Sequence, residues 1–217
     1  MLIKLTGIDR EARTVETTDG PVPYDRLLLA TGAGPRRLGL DHVHYLRTHS
    51  DAATLRDLVS RGGRLLVIGA GFIGLEMAQV AYRFGAKVTV VDAMDRVSPL
   101  EDPEVSKALQ SMFKRWKWDI RLEKRVSGVK TVDGRGVLTF DTRDTIEADK
   151  ILVAVGRGPV SADMGLEEAG IGLEFNKIKV DDHLQAAEGI YAIGDVNGHI
   201  QLAHAAAHQA WYVASRI

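Results

Sequence analysis

The sequence predicts a three-layer α/β fold with a parallel central sheet and antiparallel insertions at both ends. Three observations predict it. Residues 64–92 run from a short apolar strand through a glycine-rich turn and an amphipathic stretch to a second apolar strand. That is the order of a βαβ unit, whose strands are parallel and joined by a right-handed crossover. Two further apolar runs, Ile151–Val155 and Ile190–Ile193, each run into a glycine turn, the second at Gly194-Asp195. The remaining segments are short, alternate in polarity and are broken by turn residues, the signature of antiparallel pairs.

Taken in order, residues 2–9 and 12–18 read as strands around Asp9-Arg10-Glu11, a hairpin. A second turn at Asp19-Gly20-Pro21 leads to Tyr24–Ala30, read as a buried strand that ends in Thr31-Gly32-Ala33-Gly34-Pro35. Ser50 or Asp51 can cap a helix with Ala52, Leu55, Leu58 and Val59 inside. Arg64–Ile68 is a buried strand. After the glycines, Ile73, Met77, Val80, Ala81 and Phe84 recur on one helical face, and Gly85 ends that helix. Lys87–Asp92 is the next strand. Asp102-Pro103 opens another helix with a stripe of Val105, Leu109, Met112, Phe113 and Trp116. From about 120 to 149 the pattern becomes an antiparallel excursion around Asp133-Gly134 and Arg143-Asp144, and a last helix is expected over roughly 203–215.

With 217 residues the chain can bury a sizeable core. A net charge of −1 gives no electrostatic case for nucleic acid or an anionic membrane. No apolar run reaches the length of a membrane-spanning helix, and Met1–Lys4 leads into a strand, not a signal peptide, so a cytoplasmic location is expected. There are no cysteines, which excludes a disulfide, a thiolate zinc site, an iron–sulfur cluster and a redox-active cysteine pair within these residues.

Gly69-Ala70-Gly71-Phe72-Ile73-Gly74 fits the pattern G-x-G-x-x-G between a strand and a helix. The first glycine permits the tight turn, the second lets a pyrophosphate approach the backbone, and the third lets helix press on strand. Asp92 lies at the end of the second strand, 18 residues beyond Gly74, where a carboxylate can accept both hydroxyls of an adenosine ribose. The set reads as a dinucleotide site, and Asp92 favours NAD over NADP because it repels a 2′-phosphate; Arg96, four residues on, softens that preference. Glu76 is either a carboxylate favoured by the helix dipole or a group facing the nicotinamide end. Phe72 is either packing or a lid. His204 and His208 are four apart on the last helix, yet two ligands do not make a metal site. Trp116 and Trp118 in Lys114–Trp118 read as core residues beside a solvated basic face, and no hydrolase-like serine setting is present. No catalytic or metal residue is assigned.

Tyr24–Gly32, the Gly69–Glu76 block with Asp92, and Ile190–Val196 resemble, in that order, the FAD-dependent pyridine nucleotide–disulfide oxidoreductases. Val155–Pro159 looks like that family's G-R-x-P turn, and Leu202-Ala203-His204 like the opening of the helix after its flavin site. Some stretches look closer to the ferredoxin reductase branch and others to the lipoamide dehydrogenase branch. The resemblance implies a Rossmann-like NAD-binding domain at 35–160, with its core at 62–156. It makes 1–34 a β-meander of a flavin domain and 161–217 a connecting segment with that domain's strand and helix. It assigns Gly69, Gly71, Phe72, Ile73, Gly74, Glu76, Asp92, Val126 and Gly156 to NAD(H). It assigns Thr31, Gly32, Gly194, Asp195, Leu202, Ala203 and His204 to FAD. Against the family pattern, neither the N-terminal flavin-binding unit nor the interface domain is expected within these residues, and Val160 stands in place of an asparagine. The expected function is an NAD(H)-dependent flavin oxidoreductase or the NAD-binding portion of one. Alternatives are a stand-alone NAD(H)-binding module, or one subunit of a split flavoenzyme whose flavin domain a partner chain or self-association completes.

Overall fold

The computed structural model describes residues 3–57 and 62–217 in full and Leu58 and Val59 by backbone alone. The inward facing expected of Leu58 and Val59, and any role of Met1 and Leu2, therefore lie outside the described residues. The chain divides into two compact units, residues 1–34 with 157–217, and residues 35–156.

The first unit opens with a meander of β1 (Leu5–Asp9), β2 (Thr14–Thr17) and β3 (Val22–Pro23), paired antiparallel in that order. β4 (Leu27–Leu29) follows, then β5 (Ala33–Pro35) at the crossing to the second unit. The buried strand expected over Tyr24–Ala30 shrinks to three residues, with Leu29 buried and Leu28 exposed. Among the described residues a single neighbouring strand pairs with it, so the apolar run is longer than the ladder that uses it.

The second unit begins with α1 (His49–Val59), β6 (Arg64–Ile68), α2 (Phe72–Arg83), β7 (Lys87–Val91), α3 (Pro103–Arg115) and β8 (Asp119–Arg121). β9 (Val126–Val132), β10 (Arg135–Phe140), β11 (Thr145–Ala148) and β12 (Lys150–Val153) complete it. β12, β6, β7 and β8 form a parallel sheet in that order, and β11, β10 and β9 an antiparallel one. The antiparallel excursion thus starts at Val126 and not near 120, because β8 joins the parallel sheet against β7. Leu65, Val67, Val88 and Val90 pack on one face with Ala78, Ala81 and Phe113 of the helices. Leu66, Ile68, Val91, Ile151 and Val153 pack on the other against Leu138 and Phe140. Strands buried on both faces read as continuous apolar runs, which is why these were legible in the sequence.

Three helix expectations are corrected. The cap of α1 is Thr48, two residues before Ser50 and three before Asp51. Asp51 Oδ2 accepts the Thr48 amide at 2.7 Å while Thr48 Oγ1 accepts the Asp51 amide at 3.1 Å, a reciprocal box. The Thr48 amide, the Thr48 side chain and the Arg47 amide hold the Asp51 carboxyl below its ordinary range. In α2 the buried face is Gly74, Leu75, Ala78 and Ala81, whereas Ile73, Val80 and Phe84 are exposed. Small residues let this helix approach the sheet closely, and bulk was a misleading guide to its inner side. In α3 it is Ser106, not Val105, that is buried, its hydroxyl donating to the Ser98 carbonyl at 3.3 Å. Gly85 ends α2 as expected, at φ +87°, with Gly85 N to Tyr82 O and Ala86 N to Ala81 O closing the last turn.

His44 extends the parallel sheet beyond β12, its amide donating to Ile151 O and its carbonyl accepting from Val153 N, both at 2.8 Å. Burial and the Lys150 charge lower its imidazole pKa from the ordinary 6.5. The unfolded chain therefore binds this proton more readily, and stability is lost as pH falls below 6.5. Urea midpoints measured between pH 7 and 5 are expected to fall, and His44→Gln to flatten that slope.

Returning to the first unit, β13 (Arg157–Pro159) pairs with β5, and β14 (Leu173–Glu174) with β15 (Lys177–Ile178). β16 (Gln185–Ala187) and β17 (Ile190–Ala192) complete a sheet with β4, in which β17 and β4 are parallel. A short 3-10 turn at Gly194–Val196 and α4 (Ala203–Ala214) follow. Ile8, Leu29, Ile171, Ile178, Ile190 and Val196 form this unit's core. Among the described residues no helix is long and apolar enough to cross a membrane.

Candidate functional site

The glycine turn of the second unit joins β6 to α2. Gly69 has φ +110°, and a Cβ there would run into the Ala154 carbonyl. A Cβ on Gly74 would meet the Gly69 carbonyl oxygen and, at 3.2 Å, Val67 Cγ1. The fold itself accounts for these two glycines. Gly71 differs: its φ of −80° and ψ of −178° suit any residue, and a Cβ there would meet nothing within 4 Å. The space it leaves open lies at the N-cap of α2, which has no side-chain cap. First-turn amides of such a helix have no intrahelical acceptor and carry the positive end of the dipole. Phe72, at 61% exposure, and Ile73 stand at the surface beside them.

Asp92 closes the turn from the end of β7. Its Oδ2 accepts the Ala70 amide at 2.6 Å and its Oδ1 the Met94 amide at 2.8 Å. Each oxygen takes one amide, so each keeps acceptor capacity for a hydroxyl. The Ala70 carbonyl in turn accepts the buried Ser98 amide at 2.8 Å. Ser98 holds φ +47° and anchors the following loop, a role no motif announced. Arg96 directs its guanidinium inward, Nη2 to the Pro99 carbonyl at 3.0 Å and Nε buried. It braces this loop. Glu76 is exposed and has no hydrogen-bond or ion-pair partner among the described residues. Val126 opens β9 and packs on the Phe140 cluster. Gly156 holds φ +106°, its carbonyl accepting the Arg36 amide at 3.0 Å.

In the first unit the residues expected around flavin fall on the 3-10 turn, the start of α4 and the segment before β5. Thr31 Oγ1 donates to the Val160 carbonyl at 2.5 Å, and the Gly32 carbonyl accepts the Val160 amide. Gly194, at φ +71°, donates its amide to Gln209 Oε1 at 2.7 Å. Gln209 also takes the Asn197 amide group at 3.1 Å, and Asn197 is buried. Asp195 Oδ2 pairs with Arg157 Nη2 at 3.2 Å, the side chains being 15% and 29% exposed. The same nitrogen donates to the Ala33 carbonyl at 2.8 Å. Arg157 therefore ties the Gly194-Asp195 turn to the segment after Gly32. Leu202 is the N-cap of α4, which has no side-chain cap, and Leu202, Ala203 and His204 are exposed. Gln209 and Asn197 escape a sequence reading because Gln209 holds a turn fifteen residues away and Asn197 joins that turn to Gln209, twelve residues on.

Against known proteins, the model of the family described as pyridine nucleotide-disulphide oxidoreductase matches residues 1–210. The chain belongs to this family. Dihydrolipoyl dehydrogenase of Corynebacterium glutamicum is 31% identical to this family member over 242 residues, covering 100% of the chain and 49% of the relative. Rhodocoxin reductase of Rhodococcus erythropolis is 41% identical over 202 residues, covering 87% and 45%. Among solved structures, the ferredoxin reductase for the CYP199A2 system of Rhodopseudomonas palustris superposes with a TM-score of 0.90 at 30% identity, covering 100% of this chain and 57% of that one. Putidaredoxin reductase in its covalent complex with putidaredoxin gives 0.89 at 28% identity, covering 98% and 56%. The chain spans about half the length of the curated relatives it matches.

Proposed function

We propose that the chain is the NAD(H)-binding portion of an FAD-dependent oxidoreductase, and that the glycine turn of the second unit is the NAD(H) site. The observation that carries this reading is Gly71, a glycine that neither backbone angle nor neighbouring atoms demand. Its missing side chain serves something that approaches from outside. The uncapped amides of α2 then hold the pyrophosphate, and Asp92 accepts the adenosine ribose hydroxyls and repels a 2′-phosphate. Val126 borders the adenine end and Gly156 the nicotinamide end. Glu76 orients the nicotinamide end, and Phe72 covers it and excludes water.

Bound NADH would supply a hydride and bound flavin would accept it and pass electrons onward. Toward flavin the chain offers Asp195, backbone at Thr31, Gly32 and Gly194, and the open first turn of α4 at Leu202, Ala203 and His204. These residues fit one side of such a group: a carboxylate oxygen for hydroxyls and uncapped amides for an anion. A second G-x-G-x-x-G is not found in these residues. The rest of the flavin site, and any dithiol relay, would come from polypeptide outside them, by a partner chain or a longer chain. A ferredoxin-type carrier is the proposed class of acceptor, on the relatives' names, in the cytoplasm.

The test is the visible absorption spectrum and NADH titration of the purified chain, before and after FAD. Saturable NADH binding is expected, with Asp92→Ala weakening it about tenfold, the scale of one charge-assisted hydrogen bond. Flavin retained and bleached by NADH would make the chain a complete oxidoreductase. NADH binding without flavin retention would make it the binding portion. No saturable NADH binding would end the proposal.

A further inference from the structure

We propose that the cleft between Arg37 and Arg47 in the second unit is an anion site that takes the phosphate group of a small phosphorylated metabolite. It shares no residue with the glycine turn and does not depend on the function proposed above. The cleft has a volume of about 370 Å³, with Arg37, His44, Tyr45, Arg47, Thr48 and Asp51 among its walls. That is more room than a bare phosphate needs, and Pro35 and Val43 supply an apolar side for the body that carries it.

The floor is rigid. His44 is pinned by two backbone hydrogen bonds at the edge of the parallel sheet, and Tyr45 follows it. The Tyr45 hydroxyl accepts the Leu38 amide at 3.1 Å, which fixes the ring and the loop that carries Arg37. The Arg37 guanidinium lies over that ring, 4.8 Å from its centroid. A cation stacked on a ring keeps its edge donors free for a second partner. Arg47 is exposed, and its guanidinium has no ion-pair partner among the described residues. Two planar guanidinia facing one cleft suit a tetrahedral group, each taking two of its oxygens.

The start of α1 is not the ligand here, because Asp51 Oδ2 already takes the Arg47 and Thr48 amides at 2.9 and 2.7 Å. Asp51 is the one carboxylate in the wall. Two amides and the neighbouring Arg37 charge offset it, so the cleft keeps an excess of positive charge. His44, half-buried beside Lys150, adds a ring nitrogen donor.

Amide chemical shifts of the isotope-labelled chain, titrated with inorganic phosphate and with ribose 5-phosphate at constant ionic strength, test the proposal. Saturable shifts are expected at His44, Tyr45, Arg47 and Thr48, with ribose 5-phosphate the tighter of the two. Arg37→Gln and Arg47→Gln should each weaken binding about tenfold, as expected for loss of a charge-assisted pair. Both side chains are exposed, and an unchanged spectrum elsewhere confirms that the variants fold. Shifts confined to residues 69–73, shifts without saturation, or acetate binding as tightly as phosphate would each overturn the proposal. An unchanged affinity in both variants would overturn it as well.

Discussion

Gly71→Ala is expected to leave the fold intact and to damage NADH binding. The new methyl group has open space and an ordinary backbone conformation, so the unfolding free energy should change by less than about 1 kcal/mol. The same methyl group would occupy the place where a pyrophosphate meets the backbone of α2. The NADH dissociation constant, measured by calorimetric titration, should rise about 100-fold, or roughly 2.7 kcal/mol. Gly69→Ala is the contrasting variant. At φ +110° and against the Ala154 carbonyl it strains the turn itself, and should lower stability by about 3 kcal/mol or more. If the two variants lost NADH affinity in proportion to lost stability, Gly71 would be a folding residue and not a binding one.

Arg157→Met is the second large effect, and it concerns the first unit. Its guanidinium holds Asp195 at 3.2 Å and the Ala33 carbonyl at 2.8 Å, with Asp195 largely buried. Removing one partner of such a pair strands the other, at a cost of about 3 kcal/mol. The measured urea midpoint should fall accordingly. Asp195→Asn in the same background should recover part of the loss, since no uncompensated carboxylate remains. Equal losses from the two single substitutions that simply add in the double variant would show that the pair contributes no coupling.

The parallel sheet was legible because its strands are apolar on both faces, as in Leu65–Ile68 and Ile151–Val153. The turn was legible because G-x-G-x-x-G with an acid at the next strand's end has few geometric realisations. What the sequence hid follows from one cause. Helix faces are legible mainly by bulk, yet α2 buries Leu75 and Ala78 beside the expected Gly74 and Ala81, while the bulkier Ile73, Val80 and Phe84 lie outside. In α3 a serine replaced a valine inside, because its hydroxyl finds the Ser98 carbonyl. The partners of Arg157, which the G-R-x-P turn contains, and the roles of Gln209 and Asn197 are hidden for a related reason. Their hydrogen bonds join segments distant in sequence, and spacing alone carries no record of them.

The claim at the centre of this account is that the turn at Gly69–Gly74 with Asp92 binds NAD(H). A titration of the isotope-labelled chain with NADH, followed at the backbone amides, tests it most directly. The account predicts saturable shifts concentrated at Ala70, Gly71, Phe72 and Ile73 and at the Asp92–Met94 turn, abolished by Gly71→Ala. Saturable binding that moves other amides and leaves these in place would contradict it.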